Sequence, residues 1–290
     1  KRYPNKIALV KNSKELKAAI DQERLAALVG VEGGHMIENR LDYLDSLAKR
    51  GMAYMTLTWN NSTPWATSAA DENSGKTLPH KGLTDFGKEV VRRMNKLGVM
   101  VDLSHVGEQT LTDAIQVSTK PVIASHSCVY ALNPVSRNLK DEQIKAIAKT
   151  GGVIFVNFYS GFLDPAYQPK YEALLAKYAS EIADLTKQLG RKSKAIDKVI
   201  EQHKEEFEAI RPPLSLLIDH IDYIAKLVGV DHVGLGADYD GAESFPQQLD
   251  DVRAYPLVTE ALLKRGYSVK DTEKMLGGNF IRVWKANTGR

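Results

Sequence analysis

Short apolar runs alternate with amphipathic segments along this chain of 290 residues, and that alternation limits the fold more than any other feature. The runs are unbroken rather than alternating with polar residues, which is typical of strands covered on both faces of a parallel sheet. Six runs followed by helical patterns predict an α/β fold with right-handed crossovers. Both an open doubly wound sheet and an eight-fold barrel lacking its start have this pattern. The predicted strands are residues 25–31, 52–58, 99–103, 121–124, 152–157 and 232–237.

Composition excludes several classes of function. The net charge is only +3 and the basic residues are dispersed, so we expect no nucleic-acid partner. No apolar run reaches the ~18 residues of a membrane helix, so we expect no transmembrane segment. The phosphate-binding patterns G-x-G-x-x-G and G-x-x-x-x-G-K-[ST] are both absent, which argues against a nucleotide-binding α/β protein. Cys128 is the only cysteine, so an internal disulfide is impossible.

Residues 170–211 have a different pattern from the rest of the chain. Apolar side chains recur there at spacings of three and four in two runs, and residues 190–193 separate the runs. This spacing predicts an amphipathic helical hairpin inserted between two β/α units. The hairpin could cover a site or mediate dimerisation, although ordinary packing also accounts for its apolar stripe.

Polar residues at the ends of four predicted strands suggest a metal site. Because the carboxyl ends of parallel strands meet at one edge of the sheet, we expect these side chains to share a cleft. Imidazoles and carboxylates suit zinc or a similar cation, and a bridging carboxylate can hold two ions for hydrolysis. Such residues are also often ordinary hydrogen-bonded core or rim groups, so the residue types alone leave both interpretations open. The four residues are Glu32, His105, His126 and Asp238.

Two further residues have candidate roles near these strand ends. Arg137 follows the strand that ends at His126, and a guanidinium there could bind a substrate carboxylate bidentately. The alternative is a solvated loop arginine. Asp102 points opposite to its neighbours on its strand, so we expect it to orient a metal-binding histidine.

At this point the sequence resembles the membrane (renal) dipeptidases, peptidase family M19, which are zinc-dependent dipeptidases with a metal-centred TIM barrel. The matching segments keep the family order from Leu25 to the C-terminus and are interrupted mainly by residues 170–211. They include Gly30-Val31-Glu32-Gly33-Gly34-His35, Asp102-Leu103-Ser104-His105, Ala124-Ser125-His126-Ser127, Ser136-Arg137-Asn138, Asn157-Phe158-Tyr159 and Gly236-Ala237-Asp238-Tyr239-Asp240-Gly241.

The resemblance implies a role for each matching residue. Glu32 corresponds to the carboxylate that bridges two zinc ions, and His105 and His126 correspond to ligands of one of them. Asp238 corresponds to the acid/base residue. The substrate-binding residues it implies are Arg137, which would hold the substrate's C-terminal carboxylate, and Tyr159 in the substrate pocket. The implied reaction is attack of a metal-bound hydroxide on a dipeptide amide.

The sequence departs from the family pattern in two places. The family begins with a strand carrying a His-x-Asp pair that binds the other zinc, and a second strand follows it. We expect neither strand in residues 1–290 and no His-x-Asp pair there, so we expect these residues to form a single barrel domain that lacks two N-terminal β/α units. The second departure is Trp59, where the family commonly has a histidine that stabilises the oxyanion. Asn60 or Asn61 is the candidate replacement.

These departures keep other functions open. One alternative is a related metal amidohydrolase with another small amide or ester substrate. Another is a catalytically weakened homologue that binds peptides or acts as a scaffold. The family favours an extracytoplasmic location, in the periplasm or cell envelope, and the sequence itself leaves a cytoplasmic one open. A homodimer is compatible with the hairpin.

Overall fold

The computed structural model describes residues 2–289, in which eight strands form two parallel sheets. The six predicted strands are all present, but the run at residues 25–31 is divided between two strands in different sheets. That part of the prediction is wrong, because Leu28 separates the two strands. The strands are β1 (Ile7–Leu9), β2 (Leu25–Ala27), β3 (Val29–Glu32), β4 (Met52–Thr56), β5 (Met100–Asp102), β6 (Ile123–Ala124), β7 (Val153–Asn157) and β8 (Val233–Gly236).

The main sheet has the strand order β3-β4-β5-β6-β7-β8, so each strand pairs with the next one along the chain. A doubly wound sheet reverses its strand order at a switch point, and this sheet does not. The fold is a mixed α/β fold whose curled parallel sheet has the order of a partial barrel. β1 and β2 form a separate two-stranded sheet beside it.

Helices connect consecutive strands of the main sheet and cover it. The α-helices are α1 (Ser13–Asp21), α2 (Leu41–Arg50), α3 (Ala69–Glu72), α4 (Asp85–Leu97), α5 (Glu108–Val117), α6 (Asp141–Lys149), α7 (Ser160–Leu163), α8 (Tyr167–Lys177), α9 (Ala179–Leu189), α10 (Lys192–Gln202), α11 (Lys204–Ala209), α12 (Leu214–Val228), α13 (Tyr255–Arg265), α14 (Val269–Glu273) and α15 (Asn279–Thr288). Short 3-10 segments lie at Gly34–Ile37, Val230–His232 and Val252–Ala254, and a π-helical turn at Lys274–Gly278 precedes α15. No helix within residues 2–289 is both long and apolar enough to cross a membrane.

Two clusters of buried side chains cover the two faces of the main sheet. Ile154 and Val156 of β7 belong to the larger cluster, which packs against the surrounding helices. Val153 and Phe155 alternate with them and pack in a second cluster with Trp284 of α15. Asn157 continues the second alternation, so it lies on the Phe155 face at the carboxyl end of β7. The candidate site occupies this end of the sheet.

Helices α8 to α11 lie in the segment predicted as a hairpin and have their own small core. α9 packs on α10 and α8 packs on α11, with Ile182, Ala195, Val199 and Phe207 buried between them. Each arm is divided into two helices, at Tyr178 and at His203. The Tyr178 ring stacks on the His203 ring with centroids 3.8 Å apart, so the two breaks lie against each other.

Candidate metal centre

Three donor atoms from three neighbouring strand ends converge on one point. Glu32 Oε1 lies 2.9 Å from His105 Nε2 and 3.3 Å from His126 Nε2, and the two Nε2 atoms are 2.8 Å apart. The histidines are 8% and 9% exposed, whereas nearly half of the Glu32 side chain is exposed. Three of the predicted site residues therefore lie together, and the cluster is open to solvent on the Glu32 side.

The hydrogen bonds of the two imidazoles leave both Nε2 atoms without a proton. His105 Nδ1 lies 3.0 Å from Asn60 Oδ1, an acceptor, so Nδ1 donates and Nε2 keeps its lone pair. His126 Nδ1 donates to Ser125 Oγ at 2.8 Å, because that hydroxyl already donates to Asp102. Two lone pairs and a carboxylate oxygen therefore face one another, and a cation between them relieves the repulsion. The donor set fits zinc or a similar metal.

The charge states of these groups also suit metal binding. Burial lowers the pKa of His105 from 6.5 to about 4, so its imidazole is neutral at physiological pH. The Glu32 side chain is about half exposed, so its carboxyl is ionised at neutral pH. Neutral imidazoles and an ionised carboxylate are the forms that bind metals, since each presents a lone pair.

Arg137 places an almost unpartnered cation beside these ligands. Its guanidinium Nη2 makes a long contact of 3.4 Å with the His126 carbonyl, and its buried Nε has no hydrogen-bond partner among residues 2–289. Burial lowers the pKa of Arg137 to about 10, with Asp102 the strongest of the acidic groups that oppose this. A guanidinium that stays charged at neutral pH with free donors is a binding group for a carboxylate.

Asp238 follows β8 and has a left-handed backbone, with φ 61°. Its Oδ2 accepts a hydrogen bond of 3.2 Å from Asn157 Nδ2, a partner that the strand-end pattern did not predict as functional. A cavity of about 410 Å³ is lined by Asp238 and His126. His105 also has a left-handed backbone, with φ 67°. A non-glycine residue held in this region at two site positions is typical of a functional site.

The remaining predicted residues lie close to this centre. The Tyr159 ring packs against Phe162, and the Arg137 guanidinium lies 5.3 Å from the centroid of the Phe162 ring. Asn60 contacts His105 through its side-chain oxygen. Trp59 is 47% exposed, and its ring centroid lies 6.4 Å from that of His105.

The expectation that residues 1–290 contain no His-x-Asp pair is wrong. His220-Ile221-Asp222 has the His-x-Asp spacing. However, it lies within α12 rather than at the end of a strand. His220 is fully engaged by the Val129 N–H and the Leu163 carbonyl, and Asp222 pairs with Arg265. This pair therefore belongs to helix packing and lies outside the converging ligand set.

A match to a protein-family model identifies the family of this chain. The model of the membrane dipeptidases, peptidase family M19, matches residues 1–289. The chain belongs to this family. It is therefore a metallopeptidase of the dipeptidase type, a hydrolase that acts on peptide bonds, and a metal is part of its activity. The predicted resemblance is confirmed.

Solved structures have the same fold. The probable dipeptidase PvdM from Pseudomonas aeruginosa is 28% identical, with a TM-score of 0.79, and the match covers 99% of this chain and 76% of that one. A metallo peptidase from Rhodobacter sphaeroides, liganded with a phosphinate mimic of the dipeptide L-Ala-D-Ala, is 23% identical with a TM-score of 0.77, covering 98% and 69%. The family M19 dipeptidase AC is 24% identical with a TM-score of 0.77, covering 99% and 73%. The last two support the fold alone.

Proposed function

We propose that this protein is a zinc-dependent dipeptidase in which Glu32, His105 and His126 hold metal. Glu32 would contribute its carboxylate to a site for two ions, and His105 and His126 would hold one of them. When bound, zinc polarises the scissile carbonyl and makes water a stronger nucleophile at neutral pH. The convergence of three unprotonated donor atoms at the strand ends is the observation that carries this proposal.

The protein's own side chains orient the substrate and move the proton. Arg137 binds the C-terminal carboxylate of the dipeptide, since its buried Nε has no partner within residues 2–289 and its guanidinium lies beside His126. Tyr159 forms part of the pocket wall next to Arg137. Asp238, held by Asn157, accepts a proton from the attacking water and delivers it to the leaving amine. A cation so close to the metal ligands favours short substrates with a free carboxyl end.

The oxyanion is stabilised without a histidine in this chain. Trp59 carries only an indole N–H donor, and Asn60 has a side-chain amide beside His105. We assign Asn60 to substrate binding through its Nδ2 group, while its Oδ1 holds His105. A catalytically weakened homologue that binds peptides is the second candidate, and the presence of Trp59 is the observation that favours it.

The finer architecture belongs to the same proposal. We propose one barrel domain over residues 1–290, with α8 to α11 as an inserted hairpin. The β3-to-β8 sheet corresponds to six strands of an eight-stranded barrel. We also propose an extracytoplasmic location and a homodimer in which the hairpin takes part.

Metal removal and reconstitution tests the activity. The full-length native protein should hydrolyse L-Ala-D-Ala or an L,L dipeptide, lose activity with a chelator and regain it with Zn²⁺. A C-terminally amidated dipeptide should be a poor substrate, because Arg137 then has no carboxylate to bind. Asp238→Asn should retain zinc and lose kcat. Tight peptide binding without turnover, at one or no metal per chain, would support the weakened homologue and overturn the enzyme proposal. Preference for other amides or esters would point to the related amidohydrolase.

A further inference from the structure

The carboxylate of Asp102 is completely buried at the end of β5 and is the acceptor of four hydrogen bonds. Its Oδ1 accepts from the backbone N–H groups of Ser104 at 3.1 Å and Ser125 at 2.8 Å. Its Oδ2 accepts from the hydroxyls of Thr56 at 2.5 Å and Ser125 at 2.6 Å. Strands β4, β5 and β6 thus all contribute to fixing one charged group. A buried carboxylate with four donors is rigid and stays in one orientation.

The Ser125 hydroxyl transmits this orientation to His126. Because its single proton points to Asp102, its oxygen can only accept from His126 Nδ1, 2.8 Å away. The backbone of His126 is held as well, since its N–H donates to Ser104 Oγ at 2.9 Å. The carboxylate therefore determines which nitrogen of His126 carries the proton, although no atom of Asp102 touches the imidazole.

His105 is oriented by a different kind of group. Its Nδ1 partner is the Asn60 amide oxygen, and Asn60 is exposed at the loop after β4. A neutral amide on a loop is a weaker and more movable acceptor than a buried carboxylate acting through one hydroxyl. The two imidazoles are therefore held unequally, with His126 the more rigid of the two.

We propose that Asp102 is the positioning residue of this centre, acting through Ser125 to keep the proton of His126 on Nδ1 and Nε2 free for the metal. This inference deepens the proposed function, since it rests on His126 being a metal ligand.

The substitution Asp102→Asn makes the proposal testable because it reverses the direction of the hydrogen bonds. The new Nδ2 group must donate to Ser125 Oγ, which then turns its proton toward His126 Nδ1. His126 must accept there and carry its proton on Nε2, the metal-binding atom. Ser125→Ala only removes the acceptor and leaves both tautomers accessible. Ser125→Thr keeps the hydroxyl, and Ser125 is only partly buried, so the added methyl has room.

The first measurement is the tautomer of His126 in the metal-free protein, read from ¹⁵N-¹H correlations of histidine-labelled samples. We expect the Nδ1–H form in the native protein and in Ser125→Thr, and the Nε2–H form in Asp102→Asn. The second is Zn²⁺ affinity by competition with a chromophoric chelator. Loss of such an outer partner typically weakens metal binding about 10–100-fold. We expect zinc affinity to fall by about 100-fold in Asp102→Asn and by about 10-fold in Ser125→Ala. Ser125→Thr should bind zinc with native affinity.

Ser118→Ala is the control, since the Ser118 hydroxyl bonds to Asn95 and the Lys120 carbonyl and contacts none of the site residues. It should match the native protein in every measurement.

The proposal is overturned if His126 carries its proton on Nε2 in the native protein, or if Ser125→Ala binds zinc as tightly as Ser118→Ala. Should Asp102→Asn fail to fold, the two Ser125 variants still decide the outcome. Failure of the proposed function looks different. In that case the native protein would not cleave dipeptides, while the tautomer measurement would still report on Asp102 and Ser125.

Discussion

Replacing Arg137 by methionine is expected to raise the stability of the metal-free protein and to lower its activity. Methionine keeps an unbranched chain of similar length and removes the charge. The pKa of Arg137 falls from 12.5 to about 10, and the cause is burial of the guanidinium. At about 1.4 kcal/mol for each tenfold change in proton affinity, the folded protein is destabilised by roughly 3 kcal/mol while the arginine is charged. This effect is fully present at any pH below about 10 and is relieved only as the pH rises above that value.

The free energy of unfolding of metal-free Arg137→Met should therefore exceed that of the native protein by about 1–3 kcal/mol at pH 7, measured by urea denaturation. Its activity should fall, because a charge-assisted pair with the substrate carboxylate is lost. Such a loss is about 2–5 kcal/mol, or at least about 30-fold in KM. The preference for a free dipeptide over its C-terminal amide should disappear in the same variant.

Arg93→Met is the matched control for this prediction. Arg93 is partly exposed and pairs with Asp45 on the surface, so its loss should change stability by at most about 1 kcal/mol and should leave KM unchanged. If the Arg137→Met protein folds normally but has a lower free energy of unfolding than the native protein, the guanidinium is not an unsatisfied buried charge. A native KM, or an unchanged preference for the free carboxylate, would refute its role in binding substrate.

Three further predictions concern other parts of the molecule. Trp59→His should raise kcat by about tenfold or more at native zinc content, because a cationic imidazole is a stronger oxyanion donor than the exposed indole. Steady-state kinetics with metal analysis tests this prediction, and an unchanged kcat would argue against it. Burial lowers the pKa of His220, so the unfolded chain takes up a proton near pH 6.5 that the folded protein excludes. Stability should fall below that pH by up to about 1.4 kcal/mol per pH unit, and His220→Gln should flatten the profile. Leu44→Ala, in the core, should reduce stability by about 2–5 kcal/mol without changing KM.

Strand positions were predictable from the sequence because buried parallel strands are continuously apolar and end at polar residues. The chain at His105 and His126 follows this rule, and the structure brings both to one point with Glu32. The pattern failed at Leu28, where one apolar run supplies strands to two sheets. Burial is common to both sheets, so apolarity alone does not show which neighbour a strand pairs with.

The hydrogen-bond network around the metal centre depended on strand register. Asp102 was expected to orient a histidine, but the intervening hydroxyl of Ser125 was not identified. The pairing of Asp102 with Ile123 brings Ser125 within reach, and sequence spacing does not encode that register. In the hairpin, apolar spacing predicted two helices and the structure has four. Stacking of Tyr178 on His203 accompanies the breaks, and such a contact between distant residues is invisible to helical periodicity.

The left-handed backbone at His105 and Asp238 has an evolutionary consequence. Each conformation disfavours an L side chain by about 1–2 kcal/mol, and glycine adopts it freely. Under the proposed function, selection for hydrolysis maintains these two residues against a local energetic preference. In a descendant that no longer needs the reaction, glycine at either position would gain stability as the chemistry disappears. Glycine at these two positions is thus a marker for lineages that kept the fold and abandoned catalysis.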